Sequence, residues 1–504
     1  VLGGGGCFSA FPTYFKDGPT MALDSQARQP DLEPNLLDTE PSSTSPATAD
    51  PDRSPESPAA ESTRAEPVSA GDRYFAVDVL RGFALLGILA MNIVGFGWPW
   101  PAYGNPFRGA GFTGLDRAVW YFNHMIFEEK MMTIFSMLFG AGLVLMDQRA
   151  EARGARIRGV YYRRILWLMM IGFVHSYLIW DGDILVLYAQ TGLFLYFFRH
   201  LRPATLIVLG VSSMLVLVPL VLGFGAGIDY MKTASERVEA QKNAGEKPSS
   251  LDQQLHDVWV KNVRDEIMPD PKKKAEKWDK EMATYRGGYL GIVKYKAFDV
   301  LMGQIFGFLL GGGFFAASRM LVGMGLMKLG VFSAQRSRSF YLWMVALGYG
   351  LGFPLMIFDA NMLIRHQFSS DYQMHGGVLY NVFGSLVVAL GHVGFLMLIV
   401  QNGAIGWLTT RLAAAGRMAL SNYLFDSIAC TTLFYGYGFG LFGQINRTGL
   451  AAIVLTIWII QLLLSPIWLK HFRYGPAEWV WRSLTYWTLQ PMRQRLEQPA
   501  AIAG

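Results

Sequence analysis

Stretches of roughly twenty apolar residues recur along this chain from Val79 to Leu469. Such a segment, coiled as a helix, spans the roughly 30 Å hydrocarbon core of a bilayer. Lipid offers no hydrogen bonds to the backbone, so segments of this kind become helices packed side by side. The windows fall at 79–98, 119–146, 163–180, 184–199, 204–226, 301–332, 340–360, 378–400, 418–443 and 449–469. The expected fold is therefore all-α, a polytopic integral membrane helical bundle of about ten transmembrane helices. Hydrophobic residues fill 52% of the 504 positions and charged residues only 16%, which excludes an ordinary soluble domain.

Residues 1–72 differ in kind. From Asp24 to Asp72 the chain is mostly Pro, Ser, Thr, Ala, Asp and Glu, too polar to bury a core, and it is read as a disordered N-terminal tail. It shows no ordered signal-peptide pattern, and Met21 is read as the natural start. Behind the tail come an N-terminal membrane region of five spans (73–226), an extracytoplasmic loop (227–300), a C-terminal membrane domain of five spans (301–490) and a short tail (491–504). Leu255, Trp259, Val263 and Ile267 recur every fourth residue in that loop, the pattern of an amphipathic helix.

The net charge of +6 is carried by Arg and Lys beside apolar segments, so it sets topology and does not mark a nucleic-acid surface. Arg149, Arg153, Arg156 and Arg158 follow an even-numbered window, as do Arg336, Arg338 and Lys470, whereas connections after odd windows hold few basic residues. This bias places both termini in the cytoplasm. Trp98, Trp100, Trp120 and Trp180 fall at the expected outer ends and are read as interfacial anchors.

Ionisable groups inside the spans are costly and are candidates for function. Arg73, Asp78 and Arg81 open the first span; they suit either a structural ion pair or the phosphates of a cytosolic donor such as an acyl-CoA. Asn92 lies deeper on the same span. Glu129 and Lys130, adjacent and so unable to face each other, each need a partner on another helix, while His124 stands one turn from Glu128 and is expected at the interface. His175, followed by Asp181 and Asp183, is the best-placed general base, with Asp183 to orient it. Asn422 and Asp426 lie one turn apart in the ninth window, where small polar residues serve as interhelical glue. Gly311, Gly312 and Gly313 mark a break or a close packing point, and Glu478 sits at the start of a last amphipathic helix. Cys7 and Cys430 support neither a disulfide nor a metal site. No phosphate loop, dinucleotide fingerprint, zinc-protease motif or serine elbow stands in its required context.

The stretches "RYFAVDVLRGFALLGILAMNI", "FEEKMMTIFSMLFGAG" and "HSYLIWDGDILVLYAQTG", with "GRMALSNYLFDS" and "FRYGPAEWVWRSLTYW", resemble the YeiB-like bacterial inner-membrane proteins and their C-terminal domain of unknown function 418. That family is similar at fold level to transmembrane acyltransferases of the heparan-alpha-glucosaminide N-acetyltransferase type. The resemblance implies an inner-membrane enzyme that moves an acyl group from cytosolic acyl-CoA to an extracytoplasmic small-molecule or glycan acceptor, with no permanently bound cofactor. The relatives place their histidine between the first two conserved blocks, but this chain has none between Arg81 and Tyr121. His175 or His124 would then take its place. Catalytic candidates are thus His175, Asp183 and Glu129; donor or substrate candidates are Arg73, Asp78, Arg81, Asn92, Lys130, Asp181, Asn422 and Asp426. The competing expectation is a transporter or a transport-associated protein, with Glu129, Lys130, Asp426 and the glycine break along a pathway.

Overall fold

The computed structural model describes residues 74–264, 270–403 and 405–494. The N-terminal tail with Arg73, the position of Ile267, and the chain from 495 onward lie outside the described residues, together with the expectations placed on them. Among the described residues no strand forms; pairing is limited to isolated bridges such as that between Phe472 and Arg493. The helices are α1 Phe75–Gly97, α2 Trp100–Gly104, α3 Gly114–Ile126, α4 Lys130–Ala152, α5 Arg158–Val174 and α6 Leu185–Leu195. Then follow α7 Pro203–Asn243, α8 Ser250–Val258, α9 Pro271–Tyr285, α10 Tyr289–Gly307, α11 Gly313–Lys328 and α12 Arg338–Arg365. The last five are α13 Val378–Asn402, α14 Gly406–Arg417, α15 Ala419–Phe434, α16 Arg447–His471 and α17 Pro476–Tyr486.

Six helical stretches among the described residues are long and apolar enough to cross a membrane: Phe75–Gly97, Gly114–Ala152, Pro203–Asn243, Arg338–Arg365, Ser370–Asn402 and Arg447–His471. The other four of the ten expected windows do not form stretches of that length and apolarity. Residues 163–180 form α5 and the π turn His175–Ile179 that continues it, whereas 184–199 give only the shorter apolar helix Leu185–Phe198, the chain turning between them at Trp180–Asp183. Window 301–332 is interrupted where Gly311 takes φ 143°, a conformation open to glycine. Window 418–443 stops at Phe434.

Burial sorts the long helices into an inner and an outer set. The apolar window of Phe75–Gly97 is 72% buried within the protein, against 28% for Pro203–Asn243, 22% for Arg338–Arg365 and 28% for Arg447–His471. The outer helices turn Leu215, Leu220, Leu347, Leu351 and Leu463 outward, an apolar surface that suits lipid and not water. The inner helix α1 packs against α4, α14, α15 and α16. It approaches α14 so closely that a Cβ on Gly416 would overlap the Asp78 carbonyl.

The segment expected as an extracytoplasmic loop is helical. Helix α7 continues through 41 residues to Asn243, roughly 60 Å at 1.5 Å per residue and about twice the hydrocarbon core. The four-residue repeat appears as α8 and a π turn at Trp259–Val263, with Trp259 buried. Helix α9 and its exit form a cap over one end of the bundle. Trp278 packs near Trp98 at 6.4 Å between ring centres, Arg286 Nε donates to the Phe442 carbonyl at 2.9 Å, and Gly436 N donates to the Tyr285 carbonyl at 2.8 Å.

Candidate functional site

Helix α5 does not end cleanly; it widens into a π turn at His175–Ile179 before Trp180 turns extended. Such bulges reposition side chains at many functional sites. Here the turn carries His175 into the protein interior with no exposed surface. Asp183 Oδ2 accepts from the backbone N–H of Val186 at 2.9 Å, which fixes the carboxylate at the start of α6. Its Oδ1 lies 2.8 Å from His175 Nδ1, and His175 Nε2 lies 2.8 Å from Ser427 Oγ on α15. With Asp183 as a carboxylate, which only accepts, Nδ1 donates to it and Nε2 is left as an acceptor for the Ser427 hydroxyl, whose alternative acceptor is the Tyr423 carbonyl at 3.2 Å. Carboxylate, imidazole and hydroxyl thus form one chain of the kind that activates a serine.

The expected pairing of His175 with Asp183 forms. Sequence reading missed Ser427, because in "SNYLFDS" it stands beside Asp426 and looks like more interhelical glue. The weak clue was its one-turn spacing from Tyr423, whose ring lies 5.0 Å from that of His175.

A cavity of about 220 Å³ adjoins this chain, walled by α1, α2, α6, α9, α10 and the break before α4. Of the residues singled out by sequence, Asn92, Glu129, Asp181 and Asp183 line it. Of these, Asp183 also holds His175. Trp180 lines the cavity too; it is buried, stacks on Phe96 at 3.9 Å and stands 6.4 Å from the His175 ring. It is therefore core, not the interfacial anchor expected of it.

The cavity wall is acidic. Asp181 Oδ2 accepts from Trp100 Nε1 at 2.5 Å, with the Tyr285 hydroxyl 3.4 Å from Oδ1. Glu281 and Asp299, in the region read as a loop, join the lining. Burial raises the Glu281 carboxyl to about 7, against the Trp100 N–H that it accepts at 3.0 Å. Glu129 caps the break before α4 in a left-handed conformation, φ 59°, and its Oε2 receives Arg319 Nη2 of α11 at 2.9 Å. The expected partner on another helix is thus Arg319.

Lys130 turns away from Glu129, as adjacency requires, and donates from Nζ to the His124 carbonyl at 2.6 Å. His124 is fully buried between Glu128 Oε2 at 2.7 Å and Asp359 Oδ2 at 3.2 Å. Its expected interfacial position is thereby corrected; Asp359 on α12 supplies the acid that makes burial tolerable.

The remaining candidates lie apart. Asp78 and Arg81 pair with each other at 2.8 Å, and Arg81 lies near enough to Arg164 to interact with it, as does Arg482. Asn422 donates to the Ala415 carbonyl and to Ser465 Oγ at 3.2 and 3.1 Å, and Asp426 accepts from Gln461 at 2.6 Å. Both bind helices together away from the cavity. Glu478 reaches from α17 to the start of α15, where it accepts from Leu420 N at 2.6 Å and Ser421 N at 3.2 Å. One cluster, Asp147, Glu151 and His200, brings possible metal-ligand atoms within 4.8 Å of one another, but Glu151 and His200 are exposed.

Membrane-length helices with lipid-facing flanks around a polar cavity define a multi-pass membrane protein. Residues 326–488 match a family model described as "Protein of unknown function (DUF418)". The chain is 30% identical over 437 residues to the uncharacterized protein YxaH of Bacillus subtilis (strain 168), covering 85% of this chain and 98% of that protein. It is also 30% identical over 423 residues to the uncharacterized protein YeiB of Escherichia coli (strain K12), covering 82% and 96%. An uncharacterized 39.9 kDa protein of Bacillus acidopullulyticus is 25% identical over 427 residues, covering 84% and 96%. The chain belongs to the YeiB/YxaH-like family.

Proposed function

We propose that this protein is an acyltransferase of the bacterial inner membrane, with both termini in the cytoplasm, acyl-CoA as donor and an extracytoplasmic small molecule or glycan as acceptor. The observation that carries this reading is the Asp183–His175–Ser427 chain, two contacts of 2.8 Å beside a cavity lined with carboxylates. Ser427 Oγ attacks the thioester carbonyl while its proton passes to His175 Nε2. The C–S bond breaks and the thiol leaves with that proton. The acceptor then attacks the Ser427 ester with His175 as base, and the serine regains its proton. Ser427 has no exposed surface, so the Trp180 wall must open before the donor carbonyl arrives. Arg81, Arg164 and Arg482 offer guanidinium groups for donor phosphates.

Purified protein in nanodiscs, given acetyl-CoA, is expected to release thiol and to carry an acetyl group on the Ser427 peptide. Ser427→Ala should lose both. Thiol release that is absent, or that persists unchanged in both Ser427→Ala and His175→Ala, would sink the proposal.

A second reading, transport, draws on one feature. Gly307 and Phe308 line the cavity immediately before the break at Gly311, and interrupted helices at a buried site are the architecture of secondary transporters. Uptake into proteoliposomes that fails in Glu129→Gln while Ser427→Ala transports normally would favour it.

A further inference from the structure

Lys296 on α10 sits in the cavity wall only 2% exposed, and its Nζ has no hydrogen-bond partner among the described residues. A buried ammonium without a partner is expensive, several kcal/mol as an order of magnitude. Conversely, a site built for an anionic group would hold such a cation in readiness. The opposite polarity is present in the same cavity. Asp181 from the turn before α6 and Asp299 of α10 supply carboxylates, with Glu281 and Lys277 of α9 beside them, and Asp181 is already oriented by Trp100 and Tyr285. Trp100, Tyr103 and Tyr295 add aromatic walls, which favour an organic ammonium over a hydrated metal cation.

We propose that the cavity binds a small zwitterion, its anionic group on Lys296 and its protonated amine against Asp181 and Asp299. A purely cationic ligand would leave Lys296 unpaired and near its own charge. A purely anionic one would leave the carboxylates of Asp181 and Asp299 without a cation of the ligand to meet them. A cavity of about 220 Å³ lies below the roughly 300–1,000 Å³ of pockets for drug-sized ligands, so the ligand is a small molecule and not a glycan chain. The inference deepens the acyl-transfer reading, since the bound amine, after giving one proton to a cavity carboxylate, would be the acceptor, but binding is measured without any donor. Its failure is thereby distinct from a failure of catalysis.

The test is a thermal-shift and calorimetric titration of the nanodisc-embedded protein with ω-amino acids from glycine to 6-aminohexanoate. Each is compared with its primary amide, which is cation only, and its N-acetyl derivative, which is anion only. At least one amino acid is expected to bind at least tenfold more tightly than both derivatives. Lys296→Met should bring amino acid and amide within about threefold of each other while the melting temperature of the unliganded protein is retained or raised. Asp299→Asn should weaken the amino acid and leave the N-acetyl compound unchanged. Absence of binding across the series, an amide that binds as well as its amino acid to the unaltered protein, or a Lys296→Met protein with undiminished preference would each overturn the assignment.

Discussion

Replacing Glu281 with Gln isolates the titration of one cavity carboxyl. Glu281 is 5% exposed and accepts the Trp100 backbone N–H at 3.0 Å. Burial is the largest cause of its rise from 4.5 to about 7, with Asp181 and Asp299 pushing the same way and the Trp100 N–H and Lys277 opposing. The folded state therefore holds a proton that the unfolded chain has already lost. Its contribution to stability is fullest below about pH 4.5 and falls as pH rises through about 7. At about 1.4 kcal/mol per tenfold, the total is about 3 kcal/mol, most of it lost between about pH 5 and 8. Gln keeps an acceptor for the Trp100 N–H but does not titrate. Melting temperatures of the two proteins, measured in nanodiscs at half-unit steps from pH 5 to 8, should diverge, with the unaltered protein falling more steeply. Parallel curves would show that Glu281 does not retain its proton in the folded protein.

Three further outcomes follow from contacts elsewhere. Glu478→Ala strips the start of α15 of the acceptor for two backbone N–H groups and should cost roughly 2–3 kcal/mol, with Gln recovering part, read as a drop in melting temperature. Gly416→Ala drives a methyl into the Asp78 carbonyl, whereas nothing lies within 4 Å of a Cβ at Gly142; the first should lower folded yield by about 1–3 kcal/mol of stability and the second should not. Arg319→Ala takes the guanidinium from Glu129, whose side chain is 11% exposed at the cavity wall, and should destabilise by about 1–3 kcal/mol, whereas the pair Arg319→Met with Glu129→Gln should recover most of that loss in the same melting assay.

Hydropathy made the helical membrane class legible, because length and apolar run alone decide it. It could not make the number of spans legible. The window at 184–199 looks like a span, yet its helix is only Leu185–Phe198, and the one before it widens into a π turn ahead of Trp180. The 227–300 region reads as a loop because its helices are polar, yet polar helices form a cap where α9 packs on the bundle end. The site was half legible for the same reason. His175 and Asp183 stand close in sequence, so their pairing could be argued from spacing. Ser427, Lys296, Glu281 and Arg319 reach the same neighbourhood only through tertiary packing. Asn422 and Asp426 looked functional because intramembrane polarity is costly, and the structure shows that cost met by Gln461 and Ser465.

Asp183 belongs to both the cavity and the buried chain, and its exchange for Asn separates their roles. Val186 N–H at 2.9 Å needs an acceptor, so the amide introduced by Asp183→Asn would keep its oxygen there and turn its NH2 toward His175 Nδ1. An NH2 group donates, so Nδ1 must then accept, and the imidazole proton moves to Nε2. That nitrogen faces Ser427 Oγ at 2.8 Å, where it would now donate to the hydroxyl and could no longer take its proton. The fold, which relies on the shape and hydrogen bonds of the side chain, should survive with a similar melting temperature. Acyl transfer should fall by about 10³–10⁴-fold, as expected for a triad locked in the wrong tautomer. Thiol release from acetyl-CoA in the Asp183→Asn protein within a few-fold of the unaltered rate would remove Asp183 from the reaction and leave His175 a structural link between α5 and α15.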